Sequence, residues 1–275
     1  MDYKPLYRRA GGDNAVKKFL NKAYFYLVLL FLYLPILTLV VFSFNKAKSR
    51  GKWGGFSLDW YRRLFNNSSM MDALGTTVLV ALLAAVISTI LGTISAIALH
   101  NSSPKFRKAM LNITYIPMMN SDIVTGVLLM MLFTFMRFRL GFGTLLISHI
   151  TFCIPYVILS VLPKLYGLNR SVYEAALDLG ATQLKAYMRV IIPDIIPGIV
   201  SGFLMSLTLS IDDFVISFFN TGSGVQNISI LVYSSKTGVN PENYALSSLM
   251  FAVVIILLLI MNFKPDKKET RRDVK

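Results

Sequence analysis

Apolar stretches of about 20 residues recur along the chain and alternate with short polar segments. A helix of that length crosses the hydrocarbon core of a bilayer. The pattern therefore predicts an all-α polytopic membrane protein with six transmembrane helices, at about residues 23–44, 75–99, 109–135, 144–165, 195–219 and 245–263. A polar, basic arm at residues 1–22 precedes this membrane domain of residues 23–263, and a basic tail at residues 264–275 follows it.

Three acids lie inside the predicted spans: Asp122 in the third, and the adjacent Asp212 and Asp213 in the fifth. A carboxylate facing lipid at mid-bilayer costs roughly 2.5–3.5 kcal/mol or more, so each requires a polar setting. If the fifth span is one helix, Asp213 shares a stripe of small and polar residues with Ser206 and Ser210. Such a face suits a water-filled path or a close helix interface, and both interpretations stay open.

The third predicted span is interrupted by Pro117, Asn120 and Asp122, which all weaken a continuous helix. Broken helices at membrane depth occur where the backbone lines a cavity or is covered by protein. We therefore expect this segment to be bent. His149 in the fourth span has Ser148 and Thr151 as neighbours, and a packing hydrogen bond is the favoured interpretation of it.

The distribution of basic residues predicts how the spans are oriented in the membrane. The chain has 28 Lys and Arg against 14 Asp and Glu, a net charge of +14, but only 15% charged residues overall. Most basic residues flank the spans, where they attract anionic lipid headgroups, so no nucleic-acid partner is needed to explain them. Roughly two thirds of them fall on one side of the predicted spans, which places the N- and C-termini in the cytoplasm.

Motifs of catalysis and metal binding are missing from the sequence. It contains no GxxxxGK[ST] loop for phosphate and no GxSxG elbow, and its two histidines lack carboxylates at ligand spacing. We therefore expect a transport subunit rather than an enzyme, with no cofactor or metal bound by this chain.

A polar segment at residues 171–193 separates the fourth and fifth predicted spans. Ser171 and Glu174 have the spacing of a capping box, and Gly180 is placed to end the helix in a left-handed conformation. Thr182 is expected to cap a second helix, which Pro193 would stop. The segment is thus predicted to be a helix, a tight turn and a helix on the cytoplasmic face.

This segment, EAALDLGATQLKAYMRVIIP, resembles the cytoplasmic signature of ABC-importer permeases. The matching positions are Glu174, Ala175, Ala176, Gly180 and Pro193, while Val190 and Ile192 replace the usual Ile and Leu. The stretches MMNSDIV, LLISHITFCIPY and LTLSIDDFVISFFNTG are similar to those of spermidine/putrescine importer permeases of the C type. The resemblance covers most of residues 24–263.

The resemblance implies a type I permease fold in the inner or plasma membrane. It also implies a homologous second permease, two copies of an ATPase subunit that uses ATP and Mg²⁺, and an extracellular or periplasmic substrate-binding protein. The ATPase contact would be formed by Glu174, Ala175, Ala176, Asp178 and Gly180. A polyamine path would use Asp122, Asp212, Asp213, Ser206 and Ser210, because carboxylates offset the desolvation of a cation. The alternatives are the same machine for ferric ion, thiamine or sulfate, and an ion-coupled secondary transporter.

Overall fold

The computed structural model describes residues 11–48, 52–234 and 241–262. Within these ranges the regular elements are helices: α1 (Gly11–Ser43), α2 (Asp59–Asn66), α3 (Ser68–Asn101), α4 (Pro104–Met119), α5 (Asp122–Phe135), α6 (Phe142–Tyr166), α7 (Arg170–Asp178), α8 (Gln183–Ala186), α9 (Ile192–Asp212), α10 (Val215–Asn220), α11 (Ile228–Ser234) and α12 (Pro241–Asn262). The chain forms two compact units, one of Met1–Asn66 with Thr237–Lys275 and the other of Asn67–Lys236.

In the first unit, helix α12 packs against both α1 and α2. The connection between α1 and α2 is organised by the side chain of Asn45, which donates to the carbonyl of Lys52 (2.9 Å) and accepts from the amide of Gly54 (2.7 Å). Trp60 on α2 is buried and donates its indole N–H to the Asn45 carbonyl at 2.6 Å. Helix α1 begins at Gly11, inside the arm predicted at residues 1–22.

The core of the second unit is formed by α3, α6 and α9. Small residues allow these helices to approach closely, as is usual between membrane helices. A Cβ atom on Gly92 of α3 would lie 2.6 Å from the Cβ of Val157 on α6, and one on Gly202 of α9 would lie 3.2 Å from its Cα. Val157 is therefore packed between the other two helices, and it is fully buried.

Two breaks shape the part of this unit that holds the predicted acids. Helices α4 and α5 meet at an angle of 106°, so the chain bends where the sequence predicted an interruption. The fifth predicted span, residues 195–219, is not the one continuous helix that the stripe shared by Asp213, Ser206 and Ser210 had assumed. Helix α9 ends at Asp212, Asp213 is extended (φ −65°, ψ 127°), and α10 starts at Val215.

Pro193 does not stop the helix that Thr182 caps, which corrects the prediction. The turn before it, Tyr187–Ile191, is π-helical, and the amide of Ile192 donates to the carbonyl of Tyr187, five residues back. A proline has no N–H, and its ring would clash with the carbonyl four residues earlier. The wider π turn removes that clash, so the helical path continues through Gln183–Asp212.

Four helical stretches are long and apolar enough to cross a membrane: Lys17–Ser43, Ser68–Asn101, Phe142–Tyr166 and Gln183–Asp212. The bent pair α4 and α5 makes a fifth candidate, and Pro241–Ile256 is a shorter apolar helix. The described residues thus support a multi-pass helical protein with four or five candidate spans. Residues 1–10 of the predicted arm and the whole predicted tail lie outside the described residues.

Candidate functional site

A cavity of about 260 Å³ lies where the two breaks meet. Its lining combines three carboxylates with apolar and aromatic side chains: Asp122, Phe152, Thr208, Leu209, Asp212, Asp213, Phe214 and Val215. We call it the acidic cavity. It lies at the level of Phe152, the eleventh residue of the 25-residue α6, and therefore inside the span. The three acids predicted from the sequence converge on it, although about 90 residues separate Asp122 from the adjacent Asp212 and Asp213 in the chain.

Asp122 and Asp212 present their carboxylates to this cavity from helix ends. Asp122 is the first residue of α5 and Asp212 the last of α9, and both are exposed. Across the described ranges, neither carboxylate has a hydrogen-bond or salt-bridge partner. Asp212 also lies at the negative end of the α9 dipole, where a second negative charge is unfavourable. A cation in the cavity would relieve that repulsion.

Asp213 is held differently, because it caps α10. Its carboxylate accepts hydrogen bonds from the amides of Ile216 (3.1 Å) and Ser217 (2.8 Å) and from the Ser217 hydroxyl (2.8 Å). The two amides are orphan backbone donors at the start of the short helix. The stripe expected for a continuous helix therefore does not determine where Asp213 points, which corrects that part of the sequence argument.

Ser206 and Ser210 do not line the acidic cavity. Both are buried on α9, where the Ser206 carbonyl accepts from the thiol of Cys153 and the Ser210 hydroxyl meets His149. They face α6. Their place in a substrate path stays a prediction that this geometry does not support.

His149 on α6 links the two sides of the α9–α10 break. It is 2% exposed, with its Nδ1 2.6 Å from the Ser210 hydroxyl and its Nε2 3.0 Å from the Ser217 hydroxyl. The same Nε2 lies 3.4 Å from an Asp213 carboxylate oxygen. The packing hydrogen bond expected for this histidine is present. Its contact with an acid of the cavity was missed, because Ser210, Asp213 and Ser217 are more than 60 residues away.

Aromatic side chains stand beside the carboxylates. Phe214 lines the cavity, and its ring centroid lies 5.6 Å from that of Phe218 and 5.0 Å from that of Tyr233, both in tilted arrangements. The ring centroids of Phe152 and Tyr156 are 5.5 Å apart. Aromatic faces attract organic cations. Sequence reasoning named none of these rings, because aromatic residues are frequent in apolar spans and carry no separate signal.

The segment predicted to contact an ATPase forms an exposed helix and turn. Glu174, Ala175, Asp178 and Gly180 are exposed and Ala176 is half-buried. Gly180 has a φ of +82°, as predicted, and the amides of Gly180 and Ala181 donate to the carbonyls of Leu177 (2.9 Å) and Ala176 (3.1 Å). These two bonds form a Schellman motif. The cap at the other end is Asn169, whose side chain accepts from the Ser171 amide, so the capping box predicted for Ser171 was wrong.

Large apolar side chains on this segment are exposed. Leu179 at the turn is 89% exposed, and Leu184 and Met188 on the following helical turns are 74% and 61% exposed. Leu184 and Met188 belong to the candidate span Gln183–Asp212, whereas Leu179 lies outside the candidate spans at the Gly180 turn. An exposed apolar side chain outside a span is a candidate contact for another protein.

Residues 88–263 match the sequence model of the family described as "Binding-protein-dependent transport system inner membrane component". This chain belongs to that family. The matched range contains the acidic cavity and the segment around Gly180. The resemblance to transport permeases found in the sequence is thereby confirmed, and the chain is a multi-pass transport component of a membrane.

Individual relatives of this inner membrane component are polyamine permeases by name. The spermidine/putrescine transport system permease protein PotC of Haemophilus influenzae is 40% identical, over 88% of this chain and 95% of its own length. PotC of Escherichia coli is 35% identical over 83% of this chain and 87% of its own length. The putrescine transport system permease protein PotI of Escherichia coli is 38% identical over 88% of this chain and 89% of its own.

Solved structures of ABC transporters share the fold of this inner membrane component. A chain of a bacterial ABC transporter that imports the acidic polysaccharide alginate superposes with a TM-score of 0.68 at 17% identity, covering 90% of this chain and 95% of that chain. A chain of the MetNI methionine ABC transporter gives a TM-score of 0.56 at 16% identity, over 71% of this chain and 95% of that one. At this identity the similarity establishes the fold.

Proposed function

We propose that this inner membrane component is a permease subunit of an ATP-driven ABC importer of polyamines. The proposal rests on the convergence of three carboxylates and two phenyl rings on one cavity inside the span. The names of relatives at 35–40% identity point to the same substrate class.

The chemistry of the acidic cavity suits a polyamine, a flexible chain of methylene groups with charged nitrogens. The carboxylates of Asp122 and Asp212 provide negative charge for the ammonium groups, while Phe152 and Phe214 provide surface for the methylene groups and for cation–π contact. The chain's net charge of +14 would repel such a cation. Local carboxylates offset this repulsion and the loss of hydration, whereas an anion path would use Arg or helix N-termini.

The proposed machine contains more than this chain. This subunit contributes six spans, and it forms the translocation path together with a homologous second permease. An extracellular or periplasmic binding protein delivers the substrate. Two copies of an ATPase subunit use ATP and Mg²⁺ and contact the segment from Glu174 to Gly180, which lies in the cytoplasm with both chain ends. The exposed Leu179 at the Gly180 turn supports this contact.

Removing the two carboxylates that make no hydrogen bonds in the described part of the chain tests the proposal. Asp122→Asn and Asp212→Asn keep the side-chain shape, and we expect each to lower polyamine uptake about tenfold, equivalent to ~1.4 kcal/mol. Uptake is measured with the full complex in proteoliposomes at matched protein levels. Asp72→Asn is the control, because Asp72 is an exposed acid on α3 outside the cavity. Normal uptake by both cavity variants would contradict the cation path.

The same preparation separates the alternatives. Uptake that needs ATP and persists without an ion gradient supports an ABC importer over an ion-coupled transporter. Competition with unlabelled spermidine, ferric ion, thiamine or sulfate then identifies the substrate class, and we expect spermidine or putrescine alone to compete.

A further inference from the structure

One side chain of α6, His149, contacts both sides of the break between α9 and α10. His149 reaches Ser210 at the end of α9, Ser217 in α10 and Asp213 between them. A buried imidazole in a span is costly unless both ring nitrogens are paired. Here both nitrogens are paired across the break.

Hydrogen-bond donors and acceptors around His149 can be assigned one by one. The Ser217 hydroxyl donates to Asp213 Oδ2, so the Ser217 oxygen presents a lone pair to His149 Nε2. A carboxylate is acceptor-only, so the Nε2 that faces Asp213 Oδ2 must also carry a hydrogen. The Ser210 hydroxyl can then donate to Nδ1. A neutral imidazole with its hydrogen on Nε2 satisfies every group and leaves the Asp213 charge in place.

The position of the Asp213 carboxylate depends on this arrangement. The amides of Ile216 and Ser217 fix it to the start of α10, but α10 is a helix of six residues. The link through Ser217 and His149 fixes the same carboxylate to α6, in the core of the unit. Without the imidazole, the Ser210 hydroxyl and the Ser217 oxygen would lose buried partners, and the carboxylate would lose its anchor to α6.

We propose that His149 is a positioning residue of the acidic cavity: as a neutral imidazole it holds the Asp213 carboxylate toward the cation path across the α9–α10 break. This inference rests on the proposed function, since it takes Asp213 to act on a passing cation. His149 itself does not line the cavity, so its effect on transport passes through Asp213.

Substitutions at His149 in the full reconstituted complex test this role. His149→Phe keeps a ring of similar size without its nitrogens, and we expect polyamine uptake to fall about tenfold while assembly and ATP hydrolysis persist. His149→Gln keeps one donor and one acceptor and should recover part of the uptake. The control is Ser148→Ala, which removes a buried hydroxyl bonded to its own helix at Thr144, 2.8 Å away. It should transport normally.

A double-mutant cycle with Asp213→Asn shows whether His149 acts through the carboxylate. Residues that act through each other give non-additive losses. We expect the double variant to transport as poorly as Asp213→Asn alone, whereas multiplied losses would overturn the inference. If His149→Phe does not assemble, the cycle is run with His149→Asn, whose shorter amide cannot span to Asp213, and the same outcome is expected.

The two proposals fail in different ways in this cycle. Normal uptake by Asp213→Asn alone would remove Asp213 from the cation path. Low uptake by Asp213→Asn together with normal uptake by both His149→Phe and His149→Asn would leave the path intact and overturn the positioning role. A Gln variant no better than the Phe variant would also contradict that role, because packing alone would then explain the loss.

Discussion

The three acids of the cavity differ in their hydrogen bonding. Asp213 accepts three hydrogen bonds at the start of α10, so it contributes to structure as well as to charge. Asp122 and Asp212 have no such bonds within the described ranges and remain exposed to the cavity. Their carboxylates are therefore the better reporters of charge alone, since an Asn substitution there removes no hydrogen bond seen in the structure.

Gly180 offers a residue-scale test of the proposed ATPase contact. Its φ of +82° is in the left-handed region, and a Cβ there would meet nothing within 4 Å, so a substitution strains the backbone without a clash. That strain is roughly 1–2 kcal/mol for most residues and greater for a β-branched one. We expect Gly180→Val to lower uptake relative to ATP hydrolysis several-fold, measured as polyamine transported per ATP hydrolysed.

Gly180→Asn is the matched control, because Asn tolerates left-handed backbone better than other residues. It should keep the helix-ending turn and near-normal coupling. Equal coupling in the wild-type chain and the Val variant would argue against this turn as the ATPase contact.

At the residue scale, the sequence was enough to find the acids but not their arrangement. A charge inside a predicted span is costly unless its setting is polar, so Asp122, Asp212 and Asp213 were predicted as functional candidates. The break at Asp213 did not, because SIDDFVIS contains neither proline nor glycine and its apolar pattern continues. The capping bonds and the contact with His149 that favour the break are visible only once α6 lies beside it.

At the scale of elements, the packing of α3 on α6 depends on glycine at one crossing. A Cβ on Gly92 would lie 2.6 Å from the Val157 Cβ and 2.7 Å from its Cγ1, in a place where Val157 is fully buried and β-branched. We expect Gly92→Ala to destabilise the protein by about 1–3 kcal/mol through overpacking. The measurement is the thermal unfolding midpoint of the purified complex.

Gly75→Ala, on the same helix, is the matched control. A Cβ there meets nothing within 4 Å. Replacing glycine by alanine inside a helix stabilises it by up to about 1 kcal/mol, so the midpoint should stay or rise. A midpoint as high for Gly92→Ala as for Gly75→Ala would show that α3 and α6 separate more easily than their packing suggests.

Helix ends were the least predictable elements. The spans were located from hydropathy, but Asn169 rather than Ser171 caps α7, and a π turn carries the chain past Pro193. At the π turn, packing that the local sequence does not show favours the observed path: Tyr187 and Ile191 lie against the cluster of Leu99, Val161 and Leu165.

At the scale of the whole second unit, the directions of α3 and α6 indicate which path the chain takes through the bent pair α4 and α5. The last turns of both helices meet, since the His100 and Tyr166 rings lie 5.5 Å apart and Leu99 and Leu165 share one cluster. The two helices therefore run in the same direction, and α6 begins at the opposite face from the end of α3. If α3 and α6 both cross the membrane, we expect α4 and α5 between them to carry the backbone across it in spite of the 106° bend.

This geometry gives a prediction for the topology of the whole chain. Ser103 precedes α4 and Arg139 follows α5, and both are exposed. If the bent pair is one span, the two residues lie on opposite sides of the membrane. The basic loop around Ser103 predicts a cytoplasmic location for this residue. The proposed ATPase contact predicts the same side for Asp178.

Single cysteines test this topology, because Cys153 is buried and is the one cysteine of the sequence. In a Cys153→Ala background, an impermeant thiol reagent should label Arg139→Cys in intact cells. Ser103→Cys and Asp178→Cys should react only after permeabilisation. Labelling of Ser103→Cys and Arg139→Cys from the same side would make α4 and α5 a re-entrant loop. Outside labelling of Asp178→Cys would separate the Gly180 turn from any cytoplasmic ATPase. The expected pattern requires the bent pair to cross the membrane, which brings Asp122 to mid-span beside Asp212.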